Sequence, residues 1–438
     1  MKKKSINLIL FIILLALPES VYATYDYIDI TSPYLRKLPI AVPVFRDMTG
    51  SSDEQIFSDA ASNLLSETLD FTGYFKIISR EAYLEYPREK GITELKLNFR
   101  NWTGIGSELL ITGGVWVTGD KVKIELRLFD TFKERMILGK LYKGSVSDQR
   151  RIIRKFCGEV IYKLTGSQGI FSSKIAFVST GTGNKEIYTC DFDGFNPRRL
   201  TNNKAITLSP AWSSDGKWMA YTSYARGKPH LYIKNIKEKR GTVVAKPGVN
   251  ITPAWVPGQF SLAATLSFTG DPEIYMLTGT GKIIKRLTHM WGIDVSPTFS
   301  PDGKQMAFVS KRSGTPQIYI QNLDTGIARR LTFEGQYNTT PSWSPRGDKI
   351  AYSSLNNGQF DVYVIDVSGQ NLRGLTENAG DNESPTWSPD GSLIAFSSSR
   401  EGKSRIYVMT AYGTEQRRLL KLPGEQTNPK WSPKNVDN

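Results

Sequence analysis

Histidine and cysteine are scarce in this sequence, which has 438 residues but only two of each. Two histidines cannot supply a multi-His metal centre, and neither His230 nor His289 has the partners that a catalytic base requires. Two cysteines cannot form a disulfide scaffold, and Cys157 and Cys190 each fall on a predicted core stripe or strand. We therefore expect two buried thiols rather than a bridge, and no catalytic residues, metal or cofactor.

Long apolar runs are also lacking, apart from Ile6 to Leu17, which is too short to span a bilayer. This run follows three lysines and is followed by Ala23, an order that is typical of a secretory signal peptide. We predict that residues 1–23 form the signal, with cleavage between Ala23 and Thr24. The remainder has no segment long enough to anchor it in a membrane, so we expect release outside the cytoplasm.

Acidic residues are fewer than basic ones, 42 against 56, which gives a formal net charge of +14. Such a balance is compatible with nucleic acid, anionic lipid or an acidic protein partner. Export argues against nucleic acid. Paired basic residues recur on the predicted outermost strands, where charge protects a sheet edge against aggregation, with a dedicated polyanion site as the alternative. They are Arg198-Arg199, Lys285-Arg286, Arg329-Arg330 and Arg417-Arg418.

Residues 24–38 form a short β-prone segment at the expected mature N-terminus, where order is weakest. Tyr25, Tyr27, Ile28 and Ile30 alternate with acidic residues, among them Asp29. The segment could add as a strand to another protein's sheet, or complete the first sheet of this protein. Its residues leave both alternatives open.

Residues 39–170 alternate strand and helix patterns, which predict an α/β domain. A capping box at Ser51–Glu54 or Ser52–Gln55 opens a helix whose apolar residues, including Ile56 and Ala60, are expected to share one buried face. Strands at 109–117, 121–129 and 136–142 form an antiparallel meander. A last helix, 148–164, ends at Gly166.

A repeat of 43 or 44 residues fills the rest of the chain. Its clearest mark is Pro-x-Trp, at Trp212, Trp255, Trp343, Trp387 and Trp431, with Phe299 in the same register. Turns such as Ser-Pro-Asp-Gly follow, and each unit has room for four short strands, which indicates a propeller blade. The array opens in mid-unit at Ile175 and ends with a lone Pro-x-Trp strand. We therefore predict six WD40-like blades over 171–438, closed by the C-terminal strand.

The unit Pro-x-Trp-Ser-Pro-Asp-Gly, followed by Ile-Ala-Phe, Ile-Tyr-Val and Arg-Arg-Leu-Thr, resembles the propeller repeat of the TolB family of the Tol-Pal system. Residues 163–179 are similar to that family's domain junction, and Arg127–Asp130 to one of its strand ends. The resemblance covers nearly all of the expected mature chain. It implies an α/β domain followed by a six-bladed β-propeller.

The resemblance also implies a periplasmic, non-enzymatic and monomeric adaptor that links the lipoprotein Pal, and possible further outer-membrane proteins, to TolA of the inner membrane. Tyr25, Tyr27, Ile28, Asp29 and Ile30 would form the TolA-binding segment. The family's Pal-docking loops precede each Pro-x-Trp strand. Carried over to this sequence, they comprise Asn250, Trp291, Asp294, Tyr337, Asn338, Asp381, Asn382, Glu383, Gln426 and Thr427.

This chain departs from the repeat at Phe299 and at residues 256–259, where the Asp-Gly turn is missing. These departures leave the docking footprint open. The alternative function is a propeller of the lyase or peptidase kind that binds a small ligand or peptide in its central channel. The absence of a Gly-x-Ser-x-Gly nucleophile elbow and the shortage of histidine argue against its catalytic forms.

Overall fold

The computed structural model describes residues 37–434, which form a mixed α/β sheet layer and then a ring of six four-stranded sheets. This confirms the predicted fold class, including closure of the ring by the last strand. The predicted cleavage site, Ala23 and Thr24, and the segment from Tyr25 to Ile30 lie outside the described residues. No helix within 37–434 combines the length and apolar character needed to cross a membrane.

The strands of the first sheet are β1 Leu38–Ala41, β2 Arg46–Asp47, β3 Phe75–Ile77, β4 Leu109–Thr118, β5 Lys121–Asp130 and β6 Arg135–Ser145. Their order in the sheet is β3-β1-β4-β5-β6, with β2 beside β4. Strands β1 and β3 run parallel, as do β1 and β4, whereas β4, β5 and β6 form the predicted antiparallel meander. The α-helices are α1 Ser52–Asp70, α2 Pro87–Lys90, α3 Phe99–Gly104 and α4 Gln149–Thr165. Short 3-10 helices cover Arg80–Ala82, Glu94–Lys96 and Val146–Asp148.

Helix α1 begins where predicted, but its buried face differs from the expected one. The Ser51 hydroxyl accepts a hydrogen bond from the Glu54 backbone N–H (3.3 Å) and caps the helix. The Glu54 carboxylate does not complete the box; it accepts from the backbone N–H groups of Thr49 and Val117 instead. The prediction that Ile56 and Ala60 are buried is wrong, because helical periodicity turns both towards solvent.

Helix α4 ends as predicted at Gly166, whose φ of 72° gives the left-handed conformation that glycine adopts without steric cost. Its apolar stripe of Ile152, Ile153, Phe156, Val160 and Ile161 packs with α1 in the core of the first domain. Cys157 lies on this stripe and Cys190 on strand β8, Glu186–Asp191, and both are free and buried thiols.

Each blade is a four-stranded antiparallel sheet, and its strands are numbered from the innermost one outwards. Blade 2 is β10 Thr207–Trp212, β11 Trp218–Ser223, β12 His230–Asn235 and β13 Gly241–Val244; blade 3 is β14 Asn250–Trp255, β15 Ser261–Leu266, β16 Glu273–Thr278 and β17 Ile283–Arg286. Blade 4 is β18 Asp294–Phe299, β19 Gln305–Ser310, β20 Gln317–Asn322 and β21 Ala328–Arg330; blade 5 is β22 Tyr337–Trp343, β23 Lys349–Asn356, β24 Gln359–Asp366 and β25 Arg373–Gly374. Blade 6 is β26 Asn382–Trp387, β27 Leu393–Ser398, β28 Arg405–Thr410 and β29 Arg417–Arg418.

Blade 1 combines both ends of the repeat array, since β30 Gln426–Trp431 is its innermost strand and β7 Lys174–Ser179, β8 Glu186–Asp191 and β9 Arg198–Arg199 follow. Strand β30 pairs antiparallel with β7, with Trp431 opposite Ile175. The Trp431 indole N–H also donates to the Ser173 hydroxyl (2.8 Å). The ring is therefore closed by residues that are far apart in sequence.

Three of the Pro-x-Trp tryptophans, Trp212, Trp255 and Trp387, connect neighbouring blades through their indole N–H groups. The Trp255 indole donates to the carbonyl of Ala211 (3.1 Å), and the Trp212 indole donates to the carbonyl of Lys430 (3.0 Å). Each of these bonds joins an innermost strand to the innermost strand of the preceding blade. Phe299 in blade 4 has no such N–H group, so blade 4 cannot make this bond to blade 3. This is the structural consequence of the departure from the repeat at Phe299.

The first domain packs against blades 1 and 6. Arg154 of helix α4 donates to Asp191 (2.8 Å) and Asp193 (3.0 Å) of blade 1, and Arg150 pairs with Asp193 as well. Arg417 of blade 6 donates to the carbonyl of Phe71. Apolar residues from both regions share one buried cluster. The two regions thus form one continuous core.

Candidate binding faces of the propeller

One mouth of the channel is formed where the six innermost strands begin, and we name it the loop face. It is bordered by the segments that lead into these strands and by the hairpins between the second and third strands of each blade. The predicted docking residues all lie at this end. The sequence therefore placed them on one face, but it did not show which side chains are accessible.

Five of the predicted docking side chains are buried, with at most 2% of their surface exposed. They occupy equivalent positions at the start of five innermost strands: Asn250, Asp294, Asn338, Asn382 and Gln426. The prediction that these residues are presented on loops is wrong for these five. Each of the five side chains bonds to the protein itself, because a buried polar group without a partner is costly, although the Asn338 Oδ1 atom has no partner within residues 37–434.

These buried groups hold the loops and the neighbouring blades together. The Asn338 side-chain amide donates to the side-chain oxygen of Gln317 (2.7 Å) and to the carbonyl of Glu334 (2.7 Å). Asp294 pairs with Arg312 (2.8 Å), although burial keeps the pKa of this carboxyl above its ordinary value. The loop face is therefore built on an internal polar framework.

The other five predicted docking residues are accessible. Trp291 is 88% exposed, an unusual state for an indole, and Tyr337 is 39% exposed. Asp381 is exposed, while Glu383 and Thr427 are half-buried. Burial and the nearby Asp381 carboxylate raise the pKa of Glu383. The accessible surface thus offers two aromatic rings and two carboxylates.

Each innermost strand contains a residue in the left-handed conformation, a feature that sequence reasoning missed. These residues, with φ between 49° and 56°, are Ser209, Thr252, Ser296, Thr340, Ser384 and Asn428. Each precedes the proline of Pro-x-Trp, and the strand pairing shifts register there, as in a β-bulge. The signal was the serine, threonine or asparagine before every proline.

The hydroxyl groups of these bulges bond across the blades. The Thr252 hydroxyl interacts with the Thr265 hydroxyl (3.0 Å) and accepts from the backbone N–H of Ser296 in blade 4 (3.3 Å). The backbone N–H of Ser384 donates to the Ser353 hydroxyl of blade 5 (3.0 Å). Such repeated cross-links fix the relative positions of the innermost strands.

The opposite mouth of the channel holds a cavity of about 540 Å³ that is ringed by the Pro-x-Trp aromatic residues. Lys430 lies in its wall, where the other blades have Ala211, Ala254, Thr298, Ser342 and Thr386. Burial lowers the pKa of the Lys430 ammonium. Sequence reasoning missed this residue, although it is the only charged residue among the six at this position of the repeat.

No three His, Cys, Asp or Glu side chains within residues 37–434 are grouped as ligands of a metal ion. His230 stands at the start of strand β12 and His289 lies in a loop, as the sequence indicated. What the geometry provides is a set of accessible aromatic and acidic side chains on loops held at fixed spacing.

Comparison with known families agrees with this architecture. Residues 161–435 match the family model described as the TolB beta propeller domain, and residues 26–137 match the TolB amino-terminal domain. The crystal structure of TolB from Acinetobacter baumannii superimposes with a TM-score of 0.80 at 27% sequence identity. That similarity covers 91% of this chain and 98% of the other.

Curated relatives carry the same names. The Tol-Pal system protein TolB of Desulfosudis oleivorans is 60% identical over 286 residues, which are 65% of this chain and 65% of that protein. The protein TolB homolog of Chlorobaculum tepidum is 44% identical over 249 residues, 57% of this chain and 56% of that relative. The aligned part of the chain thus spans less than two thirds of either relative.

Proposed function

Because the chain belongs to the TolB family, we propose that it acts as a non-enzymatic adaptor of a Tol-Pal system in the periplasm. In this role it links the lipoprotein Pal, on the outer-membrane and peptidoglycan side, to TolA of the inner-membrane complex. The link would support outer-membrane integrity, envelope constriction during cell division and protein import. Other outer-membrane proteins are possible further partners, and the working unit is a monomer.

The observation that carries this proposal is that the chain matches the TolB amino-terminal domain and, after it, the TolB propeller domain. The propeller is a closed ring whose loops are held at fixed positions. A rigid surface loses little conformational entropy when it binds, so its binding energy is not spent on ordering loops. The cross-blade bonds of the innermost strands supply this rigidity. The loop face therefore suits the docking of a folded domain such as that of Pal.

We propose a smaller Pal-docking footprint than the sequence suggested: Trp291, Tyr337, Asp381, Glu383 and Thr427. Aromatic side chains bury a large area at low entropic cost and dominate many interfaces. Trp291 is the strongest candidate because almost all of its surface is open. The five buried residues beneath would support the loops without touching the partner.

We assign the TolA-binding role to Tyr25, Tyr27, Ile28, Asp29 and Ile30, within a partner-binding segment 24–38. The other proposed units are the signal peptide 1–23, the α/β domain 39–170 and the propeller 171–438. Lys37, the first described residue, pairs with Glu415 of blade 6. This contact places Lys37 beside blade 6, close to the junction of the two regions, and the proposed TolA-binding residues precede it in the sequence.

The test is calorimetric titration of the protein from residue 24 with the soluble domain of Pal from the same organism. We expect saturable one-to-one binding that weakens by roughly tenfold or more in Trp291→Ala, as for an interface hot spot. Phe132→Ala is the matched control, since Phe132 is 67% exposed but lies in the first domain. Absence of binding at several salt concentrations would contradict the assignment of Pal and favour a ligand of the central channel instead.

A further inference from the structure

The outermost strand of each blade presents one residue directly opposite the tyrosine of the third strand. Arg286, Arg330 and Arg418 lie opposite Tyr275, Tyr319 and Tyr407 in blades 3, 4 and 6. In blade 5 the residue opposite Tyr363 is Gly374. Blade 1 has Arg199 at this position and blade 2 has Val243. Blade 5 therefore lacks the arginine that both of its neighbours, blades 4 and 6, place opposite this tyrosine.

The three arginines make the same bond in their own blades. Each donates from Nε to the backbone carbonyl two residues later: Arg286 to Thr288 (2.7 Å), Arg330 to Thr332 (2.6 Å) and Arg418 to Leu420 (2.9 Å). Arg286 also pairs with the carboxylate of Glu273 (2.7 Å). In blade 3 the Arg286 guanidinium thus meets a carbonyl, a carboxylate and, 6.0 Å away, the Tyr275 ring, and in blade 6 Arg418 likewise pairs with a carboxylate, that of Glu401 (2.7 Å).

A second arginine of the neighbouring blades is also missing from blade 5. Arg312 in blade 4 lies 4.9 Å from the centre of the Tyr319 ring, and Arg400 in blade 6 lies 4.4 Å from that of Tyr407. The residue 44 positions from each is Asn356. Its side-chain amide donates to the Tyr363 hydroxyl (3.2 Å) and leaves the ring uncovered by charge.

These two replacements open a cavity of about 800 Å³ above Tyr363. Its lining within residues 37–434 contains carboxylates and amides but no lysine or arginine, and includes Asn356, Gln359, Asp361, Thr376, Glu377 and Gln416. Tyr363 is half-buried, whereas Tyr275, Tyr319 and Tyr407 are only 4–7% exposed. The cavity thus lies where blades 3, 4 and 6 have an arginine side chain.

Asp361 occupies the position of Glu273 in the repeat. Because Gly374 replaces the arginine in blade 5, the Asp361 carboxylate has no counterpart of Arg286 to pair with. It accepts from the Thr376 hydroxyl (2.7 Å) and the Asn382 amide (3.0 Å). Burial, together with the carboxylates of Glu377 and Asp381, raises the pKa of Asp361. Arg400 is the neighbouring cation, but its guanidinium donates to Asn382 and Gln416 of the adjoining framework.

We propose that the cavity above Tyr363 binds the guanidinium group of an arginine side chain presented by a partner protein. The Asp361 carboxylate, the Thr376 carbonyl and the Tyr363 ring would take the roles of Glu273, Thr288 and Tyr275 around Arg286. A planar cation suits this set because it can pair with a carboxylate and stack on a ring together. The proposal goes beyond the adaptor function and does not depend on it.

A neutral sugar is the other ligand that amides and an aromatic ring could hold. The structure favours guanidinium, because the chain itself places that group at the equivalent site in blade 3. The half-buried Asp361 carboxylate also favours guanidinium, since a cation gains from it and a sugar does not require it. The two ligands can be separated by experiment.

The first test is an NMR titration of the protein from residue 24 with the probe peptide N-acetyl-Gly-Arg-Gly-amide. We expect saturable shifts that map to blade 5 and binding at least about tenfold weaker for the citrulline peptide, which keeps the shape but loses the charge. Equal binding of the two peptides would overturn the proposal. Binding of diacetylchitobiose in place of the arginine peptide would overturn it as well and assign the cavity to a glycan.

The second test fills the cavity from within. A Cβ at Gly374 would lie 3.4 Å from the Tyr363 ring, an ordinary contact, so Gly374→Arg can restore the arginine that blades 1, 3, 4 and 6 have at this position. We expect this variant to unfold at a higher temperature and to lose the arginine peptide, while Gly374→Ala binds it as the parent does. A stable Gly374→Arg that still binds the peptide at the same residues would contradict the proposal.

A reciprocal variant provides the matched control. Arg286→Gly should open the arginine part of the corresponding place in blade 3, with Glu273 and Tyr275 in its wall and Phe268 still packed 5.1 Å from the Tyr275 ring centre. We expect a second set of peptide-dependent shifts that maps to blade 3. If Arg286→Gly folds without gaining that site, the three-part recognition inferred from the repeat is wrong.

Discussion

Glu54 is a carboxylate that the fold buries completely in the first domain. Burial alone would raise its pKa, but the backbone N–H groups of Thr49 (2.7 Å) and Val117 (3.0 Å) outweigh that effect and lower the pKa below its ordinary value. We predict that Glu54→Gln lowers the free energy of unfolding by about 1–3 kcal/mol, as for a charged hydrogen bond lost from a buried site.

The pH dependence of this contribution follows from the lowered pKa. The stabilisation is complete above the pKa of the unfolded chain and is lost as the pH falls towards the lower folded value. Denaturant unfolding at pH 7 and below pH 4 should therefore show a smaller difference between the parent and Glu54→Gln in acid. Asp53→Asn, at the exposed neighbour, is the control and should change little.

Lys430 illustrates the opposite case, a half-buried cation in the cavity wall whose loss of hydration is unfavourable. Because its pKa is lowered, the protonated side chain destabilises the folded protein. This destabilisation decreases as the pH rises towards alkaline values and the folded protein releases the proton. We predict that Lys430→Met raises the free energy of unfolding at pH 7 by roughly 1 kcal/mol, because it removes the charge and keeps the volume.

The control for Lys430→Met is Lys421→Met, at an exposed position of the same charge. Thermal unfolding of both variants and the parent measures the difference. A lower melting temperature for Lys430→Met alone would show that the ammonium has a favourable contact in the channel.

Residue type and register could be read from the sequence, but accessibility could not. Asn250 and Trp291 look alike as polar or aromatic residues before a Pro-x-Trp strand, yet one is buried and the other is almost fully exposed. The difference arises from bonds to loop carbonyls, such as that of Asn250 to Lys246 (2.8 Å), which have no signature in sequence spacing.

Among the elements, the closing strand β30 carries the clearest prediction. Trp431 is buried, donates to the Ser173 hydroxyl and stands opposite Ile175 of strand β7. We predict that Trp431→Ala lowers the free energy of unfolding by about 3–5 kcal/mol, the usual cost of deleting a buried aromatic side chain.

Trp431→Phe is the informative companion variant, because blade 4 already functions with Phe299 in this register. It keeps the apolar contacts and loses the indole N–H, so a cost of about 1 kcal/mol is expected in chemical denaturation. Equal losses for Ala and Phe would show that the hydrogen bond, not packing, holds the ring together.

The elements themselves were largely predictable, because propeller strands and turns follow a strict period. Gly303 and Gly391 adopt the positive φ that the Ser-Pro-Asp-Gly turns require. The bulges of the innermost strands were not predicted, since Pro-x-Trp alone does not reveal that the preceding residue is left-handed. Ile56 was misassigned because an apolar residue within a helix need not face its core.

For the whole molecule, the contact between helix α4 and blade 1 decides whether the two regions move together. Arg154 has little exposed surface and pairs with both Asp191 and Asp193. We predict that Arg154→Met destabilises the junction by about 3 kcal/mol, since it leaves carboxylates without their cation. Faster proteolytic cleavage near residues 166–173 would report this loosening.

Acid should act on the same junction. Burial alone would raise the pKa of Asp191, but Arg154 and Lys174 lower it below its ordinary value of 3.8. The contribution of this carboxylate is therefore complete above that value and lost at lower pH. Small-angle scattering should show greater separation of the two regions near pH 3 than at pH 7, and an unchanged profile would contradict this role.

The order of the α/β domain and the propeller could be predicted from composition and repeats, but the contact between them could not. Asp191 and Asp193 look like ordinary hairpin residues in the sequence, and Arg150 and Arg154 like the polar side of a helix. Only the structure shows that these four side chains meet across the junction.

Closure by strand β30 also determines when the molecule can become native during its synthesis. The backbone N–H of Lys174 donates to the hydroxyl of Ser432, 258 positions later, so blade 1 remains incomplete until almost the whole chain is available. Contacts of such long range slow folding, because the loop must close before the contact is gained. The first blade to emerge is therefore the last to be finished, and until then its unpaired edge is exposed to other chains.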